Sequence, residues 1–118
     1  MNKKISKHLK IKIEINENFI IGPGKVSLLE SIITNGSISS AAKKMGMSYR
    51  KAWKLVKEIN DASSTKIIIT NTGGKGIGGT KISDDGLLFI KAFRSIEQKT
   101  LKAAINEQKY LYQLFTKK

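Results

Sequence analysis

Cysteine is absent from the 118-residue sequence. That excludes disulfide frameworks, thiolate zinc sites and cysteine nucleophiles. Histidine occurs once, as His8, which leaves no multi-histidine metal site. Acids are scarce, with nine Asp and Glu in the whole chain, and Pro23 is the sole proline. No apolar run approaches the ~18–20 residues that would cross a bilayer, so no membrane partner is expected. The N-terminal stretch MNKKISKHLKIKI is basic but has neither a continuous apolar core nor a small-residue cleavage site. It does not read as a secretory signal, and the expected compartment is the cytoplasm. Hydrophobic residues make up 40 % of the chain, enough for one core, and the length suits a single domain.

Positive charge is plentiful. Twenty-two Lys and Arg give a formal net charge of +13. Such an excess points to a polyanionic partner, unless it merely reflects a lysine-rich composition. Distribution separates the two. Six basic residues and no acid lie between Lys43 and Lys57: Lys43, Lys44, Arg50, Lys51, Lys54 and Lys57. From Lys66 to Lys81 there are Lys66, Lys75 and Lys81, again without an acid. Over Ile13–Ala42 one lysine faces Glu14, Glu17 and Glu30. General lysine enrichment would not cluster charge in this way.

The patterning predicts a mainly α fold with a small β-sheet. Leu9, Ile11, Ile13 and Ile15 alternate with polar residues, as in a half-buried strand over about 8–16. His8 lies on its polar side and is assigned no role. Gly22-Pro23-Gly24 ends the strand and opens a helix over about 25–35, with Val26, Leu29, Ile32 and Ile33 as its buried stripe. Gly36 suits a left-handed cap. A short helix over about 39–45 follows, capped by Ser37 or Ser39, with Ile38 as a staple and Ala41, Ala42 and Met45 facing inward. After a turn at Gly46, a helix capped by Ser48 runs to about Asn60. Lys66–Thr70 and Thr80–Ile82 then form a hairpin around a loop with glycines at 73, 74, 76, 78 and 79. Ser83 caps the last helix, Asp84 and Asp85 favour its N-terminus, and Leu88, Phe89, Ala92, Phe93 and Ile96 form its expected stripe. Its helical pattern extends to Phe115, either unbroken or as two shorter helices. An unbroken helix overshoots so small a domain, and a second copy of the chain is the simplest cover for its apolar surface.

The helices on either side of Gly46 have the helix-turn-helix layout. On a wheel of about 100° per residue, Arg50, Lys54, Lys51 and Lys57 fall on one side of the second helix and Ala52, Leu55, Val56 and Ile59 on the other. A cationic helix of this kind fits a DNA major groove. Residues near its N-terminus reach base edges, and the longer cations reach phosphates. Arg50 suits a bidentate guanine contact, whereas Lys54 and Lys57 suit phosphate. Tyr49 and Trp53 border both faces. The glycine hairpin reads as a wing, with Lys75 at its tip. The segment Gly74–Gly79 formally satisfies the dinucleotide fingerprint, but Thr80-Lys81-Ile82 intervenes before any helix and Asp84-Asp85 would repel phosphate. No nucleophile is paired with a base, so the chain is not read as an enzyme and no cofactor or metal is expected. RNA binding is a weaker reading because exposed aromatic platforms are lacking.

The run GSISSAAKKMGMSYRKAWKLVKEIN from Gly36 to Asn60, followed by GGKGIGGT from Gly73 to Thr80, resembles the N-terminal DNA-binding domain of the molybdate-responsive ModE regulators. The resemblance implies a winged helix similar to that of LysR-type regulators. It also implies a homodimer, with Ser48–Lys57 in the major groove and the wing alongside. Full-length family members carry molybdate-binding domains for which 118 residues leave no room. The expectation is therefore a stand-alone module, with any effector sensed by a separate partner protein.

Together these readings predict one winged helix-turn-helix domain over 1–118. Its helix-turn-helix covers about 36–60, its wing about 66–82 and its dimerisation helix about 84–115. The expected function is sequence-specific binding of double-stranded DNA in transcriptional regulation, linked to molybdate metabolism. The residues expected to face DNA are Ser39, Lys43, Lys44, Ser48, Tyr49, Arg50, Lys51, Lys54, Lys57, Lys75 and Thr80. The rival reading is a protein-interaction or dimerisation adaptor on the same scaffold.

Overall fold

A hairpin opens the fold, where the alternating pattern predicts a single strand. The structure, a computed structural model, describes residues 9–70 and 79–117. Strand β1 (Ile13–Asn16) pairs antiparallel with β2 (Phe19–Ile21), with Ile13 opposite Ile21 and Glu14 opposite Ile20. The turn is local chemistry: Asn16 Oδ1 accepts from the Asn18 amide at 2.9 Å. The register shifts between Glu14 and Asn16, which breaks the two-residue period. Ile15 is consequently exposed, and burial passes to Phe19 and Ile21 on the returning strand. His8 lies outside the described residues.

Three helices follow: α1 (Pro23–Asn35), α2 (Ile38–Met45) and α3 (Tyr49–Ala62). Their ends are set by the residues that the sequence marks. Gly36 caps α1 at φ 78° and Gly46 caps α2 at φ 69°, both left-handed. Ser37, the first of the two candidate caps, accepts from the Ser40 amide; Ser48 accepts from the Lys51 amide. Ile38, Ala41 and Ala42 are buried and Met45 packs against them, as expected. The stripe of α1 needs one correction. Leu28 is fully buried and Ile33 is 48 % exposed. Helix α1 is central, packed by α2 and also by the second hairpin and the last helix, so its buried arc is wide at mid-helix and closes in the last turn.

The second hairpin pairs β3 (Ile68–Thr70) with β4 (Thr80–Ile82) in the antiparallel register Ile68 to Ile82. Its tip, with Lys75, lies outside the described residues. The last helix, α4 (Asp84–Thr116), is a single unbroken element of 33 residues. Its start is locked onto the segment that leads into β3. Ser83 Oγ donates to the Lys66 carbonyl at 2.6 Å and accepts from the Gly86 amide at 3.0 Å, while Thr65 Oγ1 donates to Asp85 at 2.8 Å.

The face that α4 turns inward differs from the expected stripe. Of that stripe Phe93 is buried and Phe89 packs against the core, whereas Ala92 and Ile96 are exposed and Leu88 is 65 % exposed; Gly86 and Ile90 complete the buried face. Gly86 sets this phase. A Cβ there would lie 2.5 Å from Ile82 Cγ2 and 2.8 Å from the Ile67 carbonyl oxygen, so only glycine lets the helix sit this close. Positions four and seven residues on then face the core, about 100° round the helix from the expected stripe. Arg94 extends the seam toward α1. Its guanidinium donates to both Glu30 carboxylate oxygens at 3.1 and 2.7 Å, to Glu97 at 2.7 Å and to Ser27 at 3.1 Å. Beyond Phe93 no residue of α4 is buried, which leaves an overhang of about 35 Å at 1.5 Å per residue.

Candidate nucleic-acid interface

The cationic side of α3 lies open to solvent. Ala52, Val56 and Ile59 are buried on one face of the helix, and Arg50, Lys51, Lys54 and Lys57 are exposed on the other. This is the segregation that the wheel predicts. The small residues of α2 allow the close approach: Ala41 and Ala42 are buried, and the Met47 amide donates to the Ala42 carbonyl at 3.0 Å to close the turn. The exposed N-terminus of α3 presents Ser48, Tyr49 and Arg50. Tyr49 is exposed, and its ring meets Trp53 edge-on at 6.2 Å; Trp53 itself is partly buried against the core.

A groove of about 1100 Å³ runs along α3. Arg50, Lys54 and Lys57 line one side, and Ser64, Lys66 and Thr70 line the other. The groove thus joins the cationic helix to the base of the wing. Asn60 fixes their relative position. Its Oδ1 accepts from the Ile67 and Ile68 amides at 2.9 and 3.0 Å, and its Nδ2 donates to the Ile68 carbonyl at 3.0 Å. The other strand is tied as well, since the Thr80 amide donates to the Gly36 carbonyl at 3.1 Å.

Ser39, Lys43, Lys44, Tyr49 and Thr80 do not line this groove. Ser39, Lys43 and Lys44 are exposed on α2, where the lysines occupy its last turn. Ser39 does not cap the helix, because Ser37 does. Thr80 is half-buried at the start of β4. Lys75 lies outside the described residues.

Three residues were missed by the sequence reading: Asn60, Asp61 and Lys66. Asn60 reads only as the approximate end of the helix, and nothing local signals its hydrogen bonds to Ile67 and Ile68, seven and eight residues on. Lys66 was counted in the charge run but not assigned to the interface. Asp61 falls one residue past the expected end of the helix, which runs on to Ala62. Its spacing gives the signal: eleven residues from Arg50, it returns to within about 20° of the same stripe. Lys57 Nζ donates to Asp61 Oδ2 at 3.0 Å. The cationic stripe therefore ends on a carboxylate.

Among the described residues, no three His, Cys, Asp or Glu side chains are grouped to hold a metal ion. None of the described helices is long and apolar enough to cross a membrane.

Comparison with known proteins bears on the same fold. No family model matches the chain. It is 33 % identical over 93 residues to the DNA-binding transcriptional dual regulator ModE of Escherichia coli K12, which is 79 % of this chain and 36 % of that protein. The chain is a homologue of the ModE transcriptional regulators. The molybdenum transport protein ModE of Herbaspirillum seropedicae is 30 % identical over 110 residues, 93 % of this chain and 39 % of that protein. The ModE regulator of Haemophilus influenzae is 37 % identical over 73 residues, 62 % of this chain and 29 % of its own. The chain therefore spans between about a quarter and two fifths of the length of these ModE relatives.

Proposed function

We propose that this chain is a single winged helix-turn-helix unit that binds a specific double-stranded DNA site as a homodimer and regulates transcription. The helix-turn-helix over about 36–60 reads the site, the hairpin over about 66–82 is the wing, and α4 over about 84–115 joins the two copies. One observation carries the reading: the exposed Arg50–Lys51–Lys54–Lys57 side of α3 shares one groove with the base of the hairpin. The ModE relatives support it, and the name of the Herbaspirillum seropedicae relative, a molybdenum transport protein, extends it to molybdenum-linked genes. Arg50 reads a base edge. Lys43, Lys44, Lys51, Lys54, Lys57, Lys75 and the hydroxyls of Ser39, Ser48, Tyr49 and Thr80 secure the backbone. The chain works without catalysis or cofactor, in the cytoplasm, and takes any effector signal from a separate protein.

The homodimer rests on α4. Leu88, Ala92, Ile96, Tyr110 and Leu114 fall within about 80° of one another on its outer side, and all are exposed. Phe115 is 83 % exposed.

The test is selection of bound sequences from a random duplex library. A palindrome with half-sites ~34 Å apart is expected. Recovery of unenriched sequence would leave the adaptor reading in its place.

A further inference from the structure

The cationic stripe on α3 carries two acids that a pure DNA-binding face would omit, the half-buried Glu58 and the exposed Asp61, and only Asp61 is paired with a lysine of the stripe among the described residues. Asp61 lies three helical turns, about 16 Å, beyond Arg50 and within about 20° of it around the axis. It lines the same groove as Arg50, Lys54 and Lys57. Its carboxylate accepts from Lys57 Nζ at 3.0 Å, with the two side chains 74 % and 65 % exposed. The acid does not fit as a fold-stabilising residue, because a pair this open to water is worth about a fivefold factor at most.

We infer that Asp61 is a specificity-determining residue: it withholds Lys57 from phosphate in loosely held complexes and so suppresses binding to the wrong sequence. This rests on the reading of α3 as the DNA-facing helix. The two ends of the stripe have different tasks. Base edges are met at the helix N-terminus, near Arg50, while the C-terminal end leans out of the groove. A correctly seated helix keeps Asp61 clear of the backbone and sets Lys57 against a phosphate that draws it off the carboxylate. A nonspecific complex gains its affinity from phosphates alone, and its registers include those that lay Lys57 and its neighbours along the strand. Those registers bring Asp61 onto phosphate and leave Lys57 neutralised by its own chain. The carboxylate therefore penalises wrong complexes more than the right one, which is how a repulsive group creates selectivity.

The experiment compares wild type, Asp61→Asn, Lys57→Gln and the double variant on a selected duplex and a scrambled one across a salt series. Asp61→Asn should tighten binding to scrambled DNA about fivefold at physiological salt and steepen its salt slope by ~0.9, one phosphate's share. Binding to the selected duplex should change less than about twofold. In the Lys57→Gln background the gain on scrambled DNA should fall below about twofold, since no lysine is left to release. Equal change on both duplexes, an unchanged salt slope, or a full gain without Lys57 would each overturn the inference and leave the DNA reading intact. Failure of wild type to hold either duplex would overturn both.

Discussion

Asn60 grips Ile68 from both sides of its peptide: the amide nitrogen donates to the Ile68 carbonyl and the amide oxygen accepts from the Ile68 N–H, each at 3.0 Å. One side chain thus joins the last turn of α3 to the first residue of the wing's first strand. The cationic helix and the wing are held as one body, so DNA meets a surface whose two halves are already aligned. The order built into the free protein need not be created on binding.

Removing this link should be costly. Asn60→Ala leaves two strand amides and one carbonyl without their partner, and each lost hydrogen bond leaves a part-buried group to be satisfied by water. A loss of about 2 kcal/mol is expected in urea unfolding, with a weaker grip on DNA even where the variant is fully folded. A midpoint equal to that of wild type would show that the wing is positioned by packing alone.

Two glycines should respond in opposite directions. Gly86→Ala puts a Cβ 2.5 Å from Ile82 Cγ2 and 2.8 Å from a backbone oxygen, so α4 must move off the hairpin. A loss of about 1–3 kcal/mol is expected. At Gly24, inside α1, a Cβ meets nothing within 4 Å. Gly24→Ala should stabilise by about 0.5–1 kcal/mol through lower unfolded-chain entropy. Thermal unfolding of the two variants checks both signs.

Arg94 clamps α4 to α1 through Glu30 and, on its own helix, through Glu97. Its hydrogen bond to Glu30 does most to hold the guanidinium pKa well above the ordinary arginine range, against the opposing effect of desolvation. A raised folded-state value means stability that is fully present below the ordinary arginine pKa and lost only as pH climbs past the folded one. The difference in stability between wild type and Arg94→Ala, about 1 kcal/mol for a partly exposed clamp, should therefore stay constant between about pH 7 and pH 10. Arg94→Lys keeps the charge but not the two-pronged geometry and should lose part of that amount. Chemical unfolding across that pH interval measures it.

The apolar outer side of α4 should govern assembly without touching the core. Ile96→Glu with Leu114→Glu places carboxylates on two exposed sites. Light scattering should then report a monomer with an unchanged helix content, against a dimer for wild type. A doubly substituted chain that still dimerises would mean that the second copy docks elsewhere.

Local chemistry made most of the fold legible. Gly36, Gly46, Ser48 and Ser83 each cap the helix that the sequence assigns to them. What escaped depends on contacts between distant residues. Phe19–Ile21 is three residues long, too short for any period to emerge, and becomes a strand through pairing with Ile13 and Glu14. The α4 face departs from the expected stripe at Leu88, Ala92 and Ile96 because its phase is fixed by Gly86 against Ile82 and Ile67, a meeting invisible to a helix wheel. The cationic face of α3 was legible because exposure there follows from the apolar side alone. Asp61, just past the expected end of that helix, was not.

The central claim is that the Arg50, Lys54 and Lys57 side of α3 enters a DNA groove. Titration of the selected duplex and a scrambled one over a range of salt, with wild type, Lys54→Ala and Arg50→Ala, tests it most directly. Log affinity should fall linearly with log salt for wild type. Lys54→Ala should lower the slope by about 0.9 and weaken all duplexes alike, and Arg50→Ala should also lose about 1–3 kcal/mol of preference for the selected sequence. A flat salt response, or equal binding by all three proteins, would contradict the account.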